Sequence, residues 1–237
     1  MSHRRTVYVV ERDLLARRLL TSHLVQIGAE PWPFAGGAEF LNMLDHLMPA
    51  CILLDMDVDA PDGLEVLAEL MRRQPGWPVV ALSGRGQVPL AVEAMKLGAL
   101  DFLEKPVSAA RLAAALAPAW TALERSVEAG EARRIAQERL ARLTARELDI
   151  SLALFSGRSN KTVAHDLGIS VRTVEMHRAH VMAKLGVKSL AEAAVLATQG
   201  GLAITPAYLR EALAPAAAAA AELPQSFLAR RLAARSA

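Results

Sequence analysis

Residues 158–185 read RSNKTVAHDLGISVRTVEMHRAHVMAKL, and this stretch decides the character of the C-terminal half of the chain. Its pattern predicts two short helices joined by a tight turn. The first covers about Asn160 to Leu167. Gly168 then supplies the residue type that most easily adopts the left-handed backbone at a helix end. Ser170 is a good N-cap for the second helix, with Thr173 and Val174 in its first turn. Val174, Val181 and Leu185 recur at helical spacing, with Met182 beside them, and are expected to face inward. The other face presents Arg172, Glu175, Arg178, His180 and Lys184. A helix with a buried stripe and a basic, hydrogen-bonding outer face, laid across a shorter helix, has the form that enters a DNA major groove. The plain alternative is a small helical subdomain whose charges only face water.

Particular residues narrow the choice. LTARE at 143–147, GRSNKTVA at 157–164 and ISVRTVEMHRAHVMAKL at 169–185 stand at fixed spacing. Together they resemble the LuxR/FixJ-type helix-turn-helix, from about Leu143 to Leu202. The resemblance implies an all-α four-helix domain and double-stranded DNA as partner. Arg172, Thr173, Glu175, Met176, Arg178 and His180 are then placed to touch DNA. Glu175 has the acceptor that cytosine offers a donor to, and Met176 suits a thymine methyl. Arg178, Lys161, Lys184 and Lys188 are expected on phosphates, which hold register without reading sequence. Asn160 begins the first helix beside Lys161 and joins this set. A homodimer on a two-fold site is the usual geometry. The helix at about Ser189–Gln199, with Leu190, Ala193, Ala194 and Ala197 on one face, is the expected dimer contact.

The whole chain sets wider bounds. Its 237 residues suit one large domain or two small ones. A hydrophobic content of 53% supports packed cores, and with aromatics at only 4% much of it is alanine, which favours helix. A net charge of +2 permits nucleic-acid binding without demanding it. The single cysteine, Cys51, excludes internal disulfides and reads as a small core residue. No signal peptide or membrane-length apolar stretch is evident, so a cytoplasmic protein without membrane contact is expected. The six histidines form no metal set.

The N-terminal half alternates strand and helix. Thr6–Val10 is a β-branched run. Asp13 caps a helix to about Ile27, with Leu15, Leu19, Leu20 and Leu24 expected inward. Ala29–Phe34 is a weak strand whose Pro31 and Pro33 suggest an edge. A helix at Gly37–Leu47, a strand at Ala50–Leu54 ending in Asp55, and a helix at Leu64–Arg73 follow. Then come a strand at Pro78–Leu82 ending in Ser83, a helix at Val88–Leu97 and a strand at Ala99–Leu103 leading to Lys105. Five alternations argue for an α/β open parallel sheet covered on both faces. Sites in such folds lie at the carboxyl ends of the strands, where Glu11, Asp55, Ser83 and Lys105 fall.

Asp55 at the end of a buried strand is a candidate nucleophile for phosphoryl transfer. Ser83 and Lys105 supply a hydroxyl to read the product and an amine to pair with it. VPLAVEAMKLGALDFLEKP at 88–106 resembles the receiver domain of FixJ/NarL-type response regulators, and the likeness covers about Thr6 to Leu116. It implies a (βα)5 flavodoxin-like fold and Asp55 as acceptor of a phosphoryl group from a sensor histidine kinase. It also implies Ser83 as switch hydroxyl, Phe102 as switch aromatic, Lys105 on the phosphate, a cis Lys105–Pro106 bond, and Mg²⁺.

The metal pocket departs from that pattern. Receivers carry two acids after the first strand, and here Glu11 is followed by Arg12. Two acids plus Asp55 would carry three negative charges, whereas Glu11, Arg12 and Asp55 carry one net negative charge. A hard dication wants several oxygen ligands and negative charge. The set Glu11, Asp55 and Asp57 is therefore expected to bind Mg²⁺ weakly or not at all. Arg12 either pairs with Asp55 in place of the ion or points to solvent. Two alternatives start from DMDVDAPDG at 55–63. As a calcium loop it lacks glycine at Ala60 and glutamate at Val66. As the D-x-D of haloacid-dehalogenase-like phosphohydrolases, with Asp55 as nucleophile, it lies on the third strand rather than the first.

The chain divides, on this reading, into a receiver-like domain at 1–118, a helical linker at 119–141, the helix-turn-helix domain at 142–203 and an Ala-rich tail at 204–237. Pro118 is expected to kink or restart the linker helix.

Overall fold

The computed structural model describes residues 5–84 and 88–204. They form two compact units that divide at Gly130. In the first, β1 (Thr6–Val10), β3 (Cys51–Asp55), β4 (Val79–Ser83) and β5 (Asp101–Glu104) join β2 (Glu30–Phe34) in one parallel sheet, ordered β2-β1-β3-β4-β5. CILLD and VVALS are buried at every position because helices cover both faces, so neither strand alternates. β2 pairs only with β1, and its Pro31 and Pro33 put their missing N–H groups at the sheet edge, as expected.

One face of the sheet packs Tyr8, Phe34, Phe40, Ile52, Leu54 and Leu67, with residues of α2 (Gly37–Met43), α3 (Gly63–Arg73) and α4 (Val88–Leu97). The other packs Val7, Val9, Leu53, Leu82 and Leu103 against α1 (Leu14–Gln26) and α5 (Ala109–Leu140). Asp13 caps α1 by accepting the Ala16 N–H. Leu20 and Leu24 face inward, but Leu15 and Leu19 are exposed, a correction to the sequence reading. LLARRLLTSHLV carries two leucine stripes four residues apart, and only one can meet the sheet.

The expected linker is not a separate element. α5 is one helix of 32 residues that runs through Pro118. Ala115, Leu116 and Ala119 are all buried against the sheet, holding the helix on both sides of the proline. Trp120 and Leu123 continue this packing, whereas Ala136 is buried in the second unit. The two ends of the linker are thus core of their respective units.

The second unit adds α6 (Ala145–Phe155), α7 (Asn160–Asp166), α8 (Val171–Leu185) and α9 (Leu190–Gln199). Ser159 caps α7, and Ser170 caps α8 by accepting the Thr173 N–H at 3.1 Å. Gly168 closes the turn between them with φ of +64°, a conformation a side chain would strain. Val174 packs with Ile150, Leu154 and Val163, while Val181 and Leu185 pack with Ala136, Ala193 and Leu196. Ala193 and Ala197 are therefore spent on their own unit, and of the face expected at a dimer contact Leu190 and Ala194 stay half-buried. Val195 is the exposed large hydrophobic residue of α9. From residue 205 on, the tail lies outside the described residues.

Candidate functional site

The strand ends bring together Glu11, Asp55, Ser83 and Lys105. Glu11 follows β1 and is 1% exposed; Asp55 ends β3 at 2%. Lys105, just past β5, sets its Nζ 2.8 Å from Asp55 Oδ1 and also bonds Glu11 Oε2. Glu11 Oε1 accepts the Asp13 N–H at 2.9 Å, and Asp55 Oδ1 accepts the Asp57 N–H at 3.2 Å. Burial pushes the Glu11 carboxyl above its ordinary range, and the Lys105 bond only partly offsets this. Burial works to lower the Lys105 pKa, but the hydrogen bonds to Asp55 and Glu11 outweigh it, so the ammonium is held charged. Phe102, half-buried on β5, packs at the edge of the core, and Lys105–Pro106 is cis.

Arg12 does not pair with Asp55. Its guanidinium donates to Asp59 Oδ1 at 2.6 Å, with the two side chains 52% and 81% exposed. Arg12 leaves β1 on the side of the loop after β3, and an exposed carboxylate there avoids the desolvation that the pocket would impose. Lys105 already occupies the place between the acids.

The donor set does not fit a divalent ion. Both Glu11 oxygens are engaged, by Lys105 and by the Asp13 N–H. Asp57, expected as a ligand, turns its Oδ2 to the Gly84 N–H at 2.9 Å and the Ser83 hydroxyl at 3.5 Å. The carbonyls of Glu11 and Arg12, the other hard oxygens at this strand end, accept from Arg17 Nη1 at 2.6 and 3.1 Å. No cluster of three Asp, Glu, His or Cys with ligating geometry occurs among the described residues. Mg²⁺ wants near-ideal octahedral oxygen geometry, and of the expected ligands only Asp55 and Asp57 keep an oxygen without a hydrogen bond among the described residues, one each, while Glu11 keeps none.

On α8 the outer face is as the sequence implies. Arg172, Glu175, Met176, Arg178 and His180 are exposed, and none of these charged groups has an ion pair among the described residues. Ser170, Arg172, Thr173, Glu175 and Met176 line a recess of about 700 Å³ at the start of α8. Thr173 is half-buried, its hydroxyl 2.8 Å from Ser170 Oγ. Lys161 and Lys188 are exposed and Asn160 is half-buried.

Lys184 corrects the expected set. Its Nζ lies 2.6 Å from Glu147 Oε2. Glu147 is buried and also accepts the Thr144 N–H at 2.8 Å. The Lys184 hydrogen bond first, then the Thr144 N–H, hold the Glu147 carboxyl down at about 2. Lys184 thus locks α8 onto α6 instead of serving a phosphate. T-x-x-E at 144–147 is a capping-box signature and was readable as such in the sequence.

Two family descriptions match the chain: "Response regulator receiver domain" over residues 7–117 and "Bacterial regulatory proteins, luxR family" over residues 141–197. The chain is 42% identical over 200 residues to the transcriptional regulatory protein FixJ of Azorhizobium caulinodans, covering 83% of this chain and 93% of that one. It is 37% identical over 187 residues to the tetrathionate response regulatory protein TtrR of Salmonella typhimurium, covering 79% and 89%. Among solved structures, the response regulator StyR superposes with a TM-score of 0.70 at 31% identity, covering 83% of this chain and all of that one. These findings support a regulator and not a phosphohydrolase.

Proposed function

This chain belongs to the FixJ-type response regulators, transcriptional regulators of two-component systems that join a receiver domain to a LuxR-type DNA-binding domain, and from that membership we propose how its own residues act. The α8 helix enters the major groove of a duplex site. Arg172, Glu175, Met176 and His180 meet base edges; Arg178, Lys161 and Lys188 hold phosphates. Asn160 and Thr173 sit at the helix starts that face the backbone. A homodimer places two such helices on a two-fold site. Asp55 is the acceptor of a phosphoryl group from a sensor kinase, with Lys105, Ser83 and Phe102 around it. The receiver thereby sets dimerisation and DNA affinity.

The observation that carries the reading is the exposed, ion-pair-free basic face of α8. The test is duplex binding by the full chain. Affinity should fall steeply as salt rises, by about 10³-fold or more between ~50 and ~200 mM if six or more phosphates are contacted. Arg178→Ala should weaken binding to all sequences alike. Glu175→Ala should change preference at one base pair, by about 1–3 kcal/mol. Absence of binding to any genomic fragment at low salt would overturn it.

A further inference from the structure

The poor fit of a divalent ion raises the question of what neutralises a phosphoryl group arriving at Asp55. Glu11 and Asp55 face one ammonium, Lys105, so the pocket already holds one uncompensated negative charge. A phosphoryl donor brings two more. Such a step needs cationic or hydrogen-bond-donating groups aimed at the equatorial oxygens.

Among the described residues, Arg12 is a cation beside this strand end that the pocket itself does not engage. Arg12 leaves the end of β1, and Asp59, its partner, stands four residues beyond Asp55 in the loop after β3. β1 and β3 are neighbours in the sheet, paired Val10 to Leu54. The Arg12–Asp59 bond therefore joins the loop after β1 to the loop that begins at Asp55. The backbone beneath it is fixed: Arg17 holds the carbonyls of both Glu11 and Arg12. The guanidinium itself is not fixed. Both partners of the pair are more than half exposed, and such pairs are worth only about 0–1 kcal/mol. Releasing it from Asp59 thus costs little compared with a charge-assisted, bidentate bond to phosphoryl oxygens in a half-enclosed pocket.

We propose that Arg12 binds the incoming phosphoryl group at the Asp55 pocket in place of a divalent cation, exchanging Asp59 for two of its oxygens. With an acyl phosphate as donor, Asp55 Oδ2 attacks phosphorus and forms the new O–P bond. The bond from phosphorus to the acyl oxygen breaks, and the carboxylate leaves with the electron pair. No proton or oxidant is needed. Lys105 stays on Asp55 Oδ1 and Glu11, and Arg12 neutralises the transferred group. Asp59 is the resting partner that keeps the guanidinium at the mouth. This rests on the reading of Asp55 as phosphoacceptor, but it is independent of the DNA contacts.

The experiment is labelling of the full-length chain by acetyl phosphate, in excess EDTA or in millimolar Mg²⁺, followed by intact mass, with Asp55→Asn as the control that locates the label. The unmodified chain should be labelled in EDTA at a rate that Mg²⁺ leaves essentially unchanged. Arg12→Ala should lose about tenfold or more of the metal-free rate, the loss of one charge-assisted contact, with an unchanged melting temperature. Asp59→Ala should label at least as fast as the unmodified chain, because the guanidinium is released. Labelling of the unmodified chain only with Mg²⁺, no labelling in either condition, or equal EDTA rates for the unmodified chain and Arg12→Ala would each overturn the proposal. Failure of DNA binding leaves these outcomes untouched, so the two readings fail separately.

Discussion

Glu147→Gln is the sharpest test of the packing beneath the DNA-binding face. Gln at 147 can still accept the Thr144 N–H through its amide oxygen, but it cannot pair with Lys184. The carboxyl is held at about 2 against an ordinary 4.5. At about 1.4 kcal/mol per pKa unit this bounds the interaction near ~3 kcal/mol. Lys184 is 37% exposed, so solvent screens the pair. A gap of about 1–2 kcal/mol between the two chains is the working figure. The sign follows from a depressed folded pKa: the contribution is complete above about 4.5 and disappears as pH falls towards about 2. Trp32, Trp77 and Trp120 all lie before residue 131, so fluorescence is blind to this unit. The assay is peptide-resolved hydrogen exchange over residues 144–155 and 171–185. The unmodified protein should show slower exchange than Glu147→Gln at pH 6, with the difference shrinking as pH falls from 4.5. A gap independent of pH, or no gap at any pH, would refute the argument that the ion pair carries this stability.

Two further perturbations probe the first unit. A Cβ on Gly76 would lie 1.9 Å from Ser126 Oγ, which can rotate away, and 3.1 Å from Ser126 Cβ, so Gly76→Ala should lower receiver stability by about 1 kcal/mol in urea unfolding followed at Trp77, and adding Ser126→Ala, which removes the hydroxyl and keeps a good helix former, should restore part of it. Lys105→Met leaves Glu11 and Asp55 facing each other without a cation; it should destabilise the receiver by about 3–5 kcal/mol near neutral pH and by less in mild acid, where a proton on Glu11 relieves the repulsion, and urea titrations whose loss is the same at both pH values would contradict this.

The strands and the edge position of β2 were legible because of local signatures, buried runs at β3 and β4, prolines on β2 and a capping Asp13 before α1; the order of the sheet came only with the likeness to the receiver fold. α8 was legible for the same kind of reason, since Ser170, Gly168 and the Val174–Val181–Leu185 stripe each have one physical role. What the sequence left open was direction. LLARRLLTSHLV has two apolar stripes, and nothing local says that Leu20 and Leu24 win over Leu15 and Leu19. Arg12 and Lys184 are basic residues beside sites that want cations, yet each rests on a carboxylate distant in sequence, Arg12 loosely on exposed Asp59 and Lys184 on buried Glu147. Separations of 47 and 37 residues cannot be read from periodicity. The pocket charge count gave the right sum with the wrong cation, because the one between Glu11 and Asp55 is Lys105, just past β5, and not the neighbouring Arg12.

The expected linker lies between the two family matches, which end at 117 and resume at 141, but composition hides how its ends pack. An alanine-rich, charged helix with a proline in it looks like a spacer, yet Ala119, Trp120 and Leu123 are receiver core and Ala136 is core of the DNA-binding unit. Small residues pack closely, so alanine here marks burial instead of low complexity. Between these anchors, residues 128–131 have no buried side chain, and a Cβ on Gly130 would meet nothing within 4 Å. Over that turn the helix is supported by its own hydrogen bonds, with Arg134 pairing Glu131 and Glu138 one turn later. Such exposed pairs add only a few tenths of a kcal/mol each. Glycine lowers helix stability by about 1 kcal/mol relative to alanine. Gly130 therefore sits where neither core holds the helix.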